Sequence, residues 1–79
     1  MSITVQQCRA ARGLIGWSQA QLAEASKVSP ATIANFESTK RQPISNNLAA
    51  LRSALELAGV IFLDENGEGA GVRLRKEKP

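Results

Sequence analysis

Few side chains in this sequence are chemically reactive, and the missing kinds exclude whole classes of function. There is no histidine and no tyrosine, and the one cysteine is Cys8. Zinc sites built from Cys and His are therefore excluded within one chain, as are His-based triads. Cys8 has no partner for an intrachain disulfide, which suits a reducing cytosol, and it reads as a small core residue on the first helix. With no nucleophile–base pair or carboxylate cluster discernible, neither enzymatic activity nor a cofactor is expected. What remains is hydrogen bonding and the neutralisation of anions.

Those capacities gather in one stretch, "SKVSPATIANFE", residues 26–37. It sets Ser29, Ala31, Thr32, Ala34 and Asn35 beside an apolar Ile33 and Phe36, with no Lys or Glu between Pro30 and Phe36. A merely solvated face would carry more charge. A small, polar face lets a helix lie deep in a groove and bring its backbone near base edges. The charge distribution agrees. Residues 1–58 hold Arg9, Arg12, Lys27, Lys40, Arg41 and Arg52 against Glu24, Glu37 and Glu56. Residues 59–79 balance, so the net charge of +3 lies entirely in the first part. A basic small domain is compatible with a polyanionic partner.

The elements that must position this stretch follow from capping and periodicity. Val5, Cys8, Ala11 and Ile15 recur at helical steps, with Thr4 as cap and Gly13 and Gly16 marking the end. Ser18 with Gln21 makes a capping box, and Trp17 with Leu22 a hydrophobic staple, which predicts a short helix over residues 19–26. Ser29 caps the next helix, and Pro30 fits its first position, where no N–H is needed. So tight a join forces a large crossing angle, the shape of a helix-turn-helix, and Ala23 is small where the two helices approach. A fourth helix starts near Ser45 or Asn46, carries Leu48, Leu51, Leu55 and Ala58 on one side, and ends at Gly59. Then "VIFLDENGEGAGVRLR" reads as a β-hairpin with a glycine-rich turn. An isolated hairpin is marginal, so it must pack on the helices, pair with another copy of itself, or both.

At 79 residues the chain has room for one domain and a modest core, and its 43% apolar content is that of a globular protein. No stretch approaches the roughly 18 apolar residues of a membrane span, and "MSITVQQCRAARG" lacks the apolar region of a signal peptide. A cytoplasmic location with no membrane contact is the expectation.

Residues 8–58 resemble the Cro/phage-repressor (Xre-type) helix-turn-helix family of bacterial transcriptional regulators. The resemblance is carried by "SQAQLAEASKVSPATIANFE": the Ser-Gln start, Leu22-Ala23, Val28-Ser29, Ile33, Phe36-Glu37 and a proline soon after. It implies a mainly α fold, a four-helix lambda-repressor-like helix-turn-helix domain over residues 1–59. A C-terminal β-hairpin over 60–75 and a disordered tail at 76–79 complete the expected organisation. It also implies that Arg12 and Glu37 form an ion pair beneath the DNA-facing surface. Breaking one partner of such a buried pair costs about 3–5 kcal/mol, so both are architecture and not contacts.

Two departures stand out. The family usually has glycine where this chain has Lys27. A left-handed backbone there costs a lysine of order 1 kcal/mol, so a slightly reshaped turn is expected. The recognition helix also lacks the Gln, Arg or Lys the family often carries, which removes bidentate arginine readout of guanine.

The roles that follow are expectations. Ser29, Pro30, Ala31, Thr32, Ala34 and Asn35 meet bases or the groove, with asparagine suited to adenine and the alanines to thymine methyls. Gln19, Lys40 and Arg41 hold phosphates, as do the N–H groups at Asn46 and Asn47. A homodimer sets two recognition helices about 34 Å apart on a palindromic operator. Its contacts are sought at Leu55, Leu57 and Ala58 on the fourth helix and, preferably, at Val60, Phe62, Val72 and Leu74 of the hairpin. The expected function is a DNA-binding transcriptional regulator, a repressor or autoregulatory controller. The alternative is an antitoxin or antiactivator, a protein-binding module that keeps the scaffold and binds a regulatory protein partner through the hairpin.

Overall fold

The computed structural model describes residues 3–39 and 41–76. Lys40, one of the expected phosphate contacts, lies outside the described residues, as do residues 77–79 of the expected tail. Among the described residues the chain forms four helices, α1 (Val5–Ile15), α2 (Gln19–Ser26), α3 (Pro30–Glu37) and α4 (Ser45–Leu57). Two strands follow, β1 (Val60–Leu63) and β2 (Gly71–Leu74), paired antiparallel with Val60 opposite Leu74 and Leu63 opposite Gly71. No helix among the described residues is long and apolar enough to cross a membrane.

The first three helices start where a side chain supplies a partner for one of their first N–H groups. Thr4 and Gln7 form a reciprocal capping box on α1, and Ser18 and Gln21 form another on α2. Ser29 Oγ accepts from Thr32 N–H at 3.1 Å, with Pro30 at the first helical position of α3. The first helix ends at Gly16, whose left-handed backbone turns the chain towards Trp17. The expected reshaping of the next turn does not occur. Lys27 itself adopts φ 64°, ψ 19°, and its N–H bonds the Ala23 carbonyl at 2.9 Å. The α2–α3 crossing is fixed by packing on both sides, so the backbone keeps its left-handed turn at a cost to the lysine. Thr39 is likewise left-handed at φ 62°.

One core unites all four helices and the hairpin: Cys8 and Ala11 from α1, Leu22 and Ala23 from α2, Val28, Ile33 and Phe36 around α3, Leu48, Leu51, Ala54 and Leu55 from α4, and Val60 and Phe62 from β1. Trp17 is half-buried against it. This overturns part of the expected dimer surface. Leu55, Val60 and Phe62 are 0%, 1% and 8% exposed, so their side chains belong to the protomer's own interior. A domain this short needs its large apolar residues for its own core. Of the remaining candidates, Ala58 and Val72 are half-buried, while Leu57 and Leu74 are exposed.

The hairpin is held to α1 by a latch the sequence did not reveal. Gln7, 5% exposed, donates from Nε2 to the carbonyls of Leu63 and Gly71 at 3.2 and 3.0 Å. Its Oε1 accepts from the Thr4 N–H at 2.9 Å, so one amide both caps the helix and fastens the two strands. The guanidinium of Arg52 on α4 lies 5.2 Å over the Phe62 ring. The strands are short, and residues 64–70 form a loop between them in which Gly67 and Gly69 have positive φ.

Candidate nucleic-acid interface

Beneath the α3 surface lies a polar cluster centred on Glu37. Arg12 meets it in two parallel bonds, Nε to Oε2 at 2.7 Å and Nη2 to Oε1 at 2.6 Å. Gln19 Nε2 donates to Oε1 at 3.1 Å, and the Cys8 thiol donates to Oε2 at 3.3 Å. Arg12 also donates from Nη1 to the Trp17 carbonyl at 2.9 Å, joining α1 to the α1–α2 turn. Burial alone pushes the Glu37 carboxyl up; the bonds from Arg12, Gln19 and Cys8 and the charge of Arg12 outweigh it and hold the group below its ordinary range. The same burial, with Glu37 beside it, pushes the Cys8 thiol up to about 12, so it stays protonated and inert at neutral pH. The ion pair expected from the resemblance is therefore present. It ties α1 and α3 together, with Gln19 adding the start of α2.

Above this cluster α3 shows its outer face. Pro30, Ala31, Ala34 and Asn35 are exposed and Thr32 half-buried, while Ile33, Phe36 and Glu37 point inward. Ser29 is exposed, but its hydroxyl donates to Thr32 Oγ1 at 2.8 Å and accepts from the Thr32 N–H. Its one proton is thus committed within the helix, which leaves Thr32 with the free hydroxyl proton of the pair.

Two shallow grooves flank that face, each with an arginine. On one side Thr32, Asn35, Arg41 and Pro43 line a common groove, with the Arg41 N–H 3.4 Å from the Asn35 carbonyl. The fold thus brings together three of the residues singled out from the sequence. On the other side the groove is lined by Arg9, Arg12, Gln19, Ala34, Glu37 and Ser38. Arg9 and Ser38 were missed by sequence reasoning. The available signal was the spacing of Arg9 and Arg12, three residues apart on one helix face. Arg9 is exposed and has no ion-pair partner among the described residues.

Among the described residues, some N–H groups at the N-termini of α2 and α4 have no hydrogen-bond partner. Ser18 Oγ takes the Gln21 N–H, leaving those of Gln19 and Ala20. At α4 the cap is Ile44, which has no side-chain acceptor. The Asn47 N–H bonds the Ile44 carbonyl at 3.0 Å, so the expectation of a free N–H at Asn47 is corrected. The helix starts one residue earlier than an Asn46 start would give, and the free groups are those of Ser45 and Asn46.

Two adjoining helices locked at a fixed angle, the second showing a small polar face between two arginine-bearing grooves, define a DNA-binding helix-turn-helix. Comparison with known families agrees. The family model described as Helix-turn-helix matches residues 9–59, well over half of the chain. The chain belongs to this family, the Cro/phage-repressor type of helix-turn-helix DNA-binding regulators. Among curated proteins no significant match was found.

Proposed function

We propose that the protein is a repressor or autoregulatory controller that binds a palindromic operator as a homodimer, with α3 in the major groove. The observation that carries this reading is the pairing of an uncharged α3 face with an arginine on each flank, Arg9 on one side and Arg41 on the other. A probe that enters a groove needs a face without bulk, and the two phosphate strands that border the groove need cations beside it. Asn35 and Thr32 are the base readers in this reading, and Ala31 and Ala34 provide close apolar approach to thymine methyls. Ser29 acts chiefly as the cap that sets the helix start. Gln19, Arg41, Lys40 and the α4 N-terminus hold phosphates, joined by Arg9. With no arginine on α3 to read guanine, sequence preference comes largely from DNA shape and deformability.

Footprinting of the purified protein over DNA upstream of its own gene tests DNA binding, half-site spacing and autoregulation together. Two protected half-sites about one helical turn apart are expected. Asn35→Ala should cost about 1–3 kcal/mol at one base position, whereas Arg41→Ala should weaken binding to all sequences and lower the salt slope by about one. Absence of protection at any DNA, with the chain folded, would overturn the reading. An Arg41→Ala variant with changed sequence preference and an unchanged salt slope would overturn that residue's role.

A further inference from the structure

The loop between the strands holds a group of residues that neither the core nor the α3 face uses. Residues 64–70 are all exposed, and among them Asn66 is followed by Gly67. Asn66 Oδ1 accepts from the Glu68 N–H, two residues on, at 3.2 Å. The ring closed by this bond contains the Gly67 nitrogen, so the side-chain amide is folded back over that peptide. The Gly67 N–H in turn donates to Glu65 Oε2 at 3.0 Å. A second bond, from the Gly69 N–H at 3.1 Å, fixes that carboxylate oxygen in place. Gly67 has φ 96° and no side chain to shield its nitrogen.

These are the parts of an acyl transfer within one loop. The Gly67 nitrogen is the nucleophile, and the amide carbon Cγ of Asn66 is the acceptor. Glu65 Oε2 is placed to take the nitrogen's proton, and the Glu68 N–H to stabilise charge developing on Oδ1. Nucleophile and acceptor belong to adjoining residues, so no bimolecular encounter is needed. The other three asparagines are placed differently. The N–H after Asn46, that of Asn47, bonds the Ile44 carbonyl at 3.0 Å, and the N–H after Asn47, that of Leu48, bonds the same carbonyl at 3.1 Å. Asn35 precedes Phe36, which is 2% exposed and inside α3.

We propose that Asn66 is a site of self-modification, converted by the folded loop, without an enzyme, to a mixture of aspartate and isoaspartate. The Gly67 nitrogen gives its proton to Glu65 and bonds to Asn66 Cγ. The bond from Cγ to the amide nitrogen breaks, and that nitrogen takes the proton and leaves as ammonia. Water then opens the cyclic imide. Addition at Cγ gives aspartate; addition at the Asn66 backbone carbonyl gives isoaspartate, with the main chain rerouted through Cβ and Cγ. Either product sets a new carboxylate beside Asp64, Glu65 and Glu68 and lowers the formal net charge of +3 by one. The isoaspartyl form also lengthens the link between β1 and β2 by one backbone atom. The inference is independent of what the protein binds.

A time course of the purified full chain at neutral pH, read by peptide mapping and mass spectrometry, tests it. Asn66 should convert steadily, with isoaspartate among the products, while Asn35, Asn46 and Asn47 stay intact. Isoaspartate marks the imide, because direct hydrolysis of the amide yields aspartate alone. Glu65→Gln keeps an oxygen for both glycine N–H groups and removes the base, so conversion should slow to about the rate of the chain unfolded in guanidinium chloride. In that denaturant the wild type should convert more slowly than when folded, and at the same rate as the variant. No conversion of the folded wild type, or aspartate without isoaspartate, would overturn the proposal. Equal rates for folded wild type and folded Glu65→Gln, or a folded wild type no faster than the unfolded one, would overturn the part given to the loop.

Discussion

Glu37 is the residue on which the helix-turn-helix angle turns. It is 6% exposed and takes bonds from Arg12, Gln19 and Cys8, which come from α1 and α2. Glu37→Gln leaves the Arg12 guanidinium with a neutral amide that can accept only part of its fork. Because the Arg12 side chain is 19% exposed, the loss belongs at the lower end of the range for broken buried pairs, about 3 kcal/mol by urea unfolding. A loss below about 1 kcal/mol would show that the pair is screened like a surface bridge. The carboxyl also predicts a pH dependence. A carboxyl held below its ordinary range adds stability above that range and loses it as the pH falls through its folded value. The unfolding midpoint should therefore be level from about pH 8 to 6 and decline below about pH 4.3, and Glu37→Gln should flatten that decline.

At the scale of elements, the turn between α2 and α3 and the latch between α1 and the hairpin make separate predictions. Lys27 is exposed and left-handed, so its side chain contributes strain without packing. Lys27→Gly should raise stability by about 1 kcal/mol, or about 4–8 °C in melting temperature, with the fold unchanged. An unchanged or lower melting temperature would mean that the turn carries no penalty. Gln7→Ala removes the two bonds to Leu63 and Gly71 and leaves the Thr4 N–H without its acceptor. It should cost about 1–3 kcal/mol. Hydrogen exchange should quicken at the ladder amides of Ile61 and Arg73 and stay slow in α2 and α3. Equal loss of protection in all elements would show that the hairpin and helices open as one unit.

At the scale of the whole molecule, the surface divides into an α3 side flanked by arginines and a hairpin side where Leu74 is exposed. Arg9→Ala should weaken binding to all duplexes and reduce the salt slope by about one, with no change in base preference. A variant that binds as well as the wild type at every salt concentration would remove Arg9 from the interface. The same variant should leave the dimer intact, because Arg9 lines the groove beside α3 and is not part of the hairpin.

The sequence by itself determined the helix starts and the tight α2–α3 join. Caps and first-position proline act within one turn of chain and need no distant partner: Thr4, Ser18 and Ser29 all cap where their types and spacing placed them. The inward set of Ile33 and Phe36 and the outward set of Ala31, Ala34 and Asn35 were legible for a similar reason, since helical period fixes faces. Tertiary structure alone decided what lies across elements. Burial sent Val60 and Phe62 into the core, although their apolar character fitted an interface equally well, and kept Leu55 in the α4 stripe expected to close the core. Packing held Lys27 in a conformation its type disfavours. The placing of Arg9 and Ser38 on one groove, and the bonding of Gln7 to both strands, join residues far apart in the chain and follow from how helices cross, which no local spacing encodes.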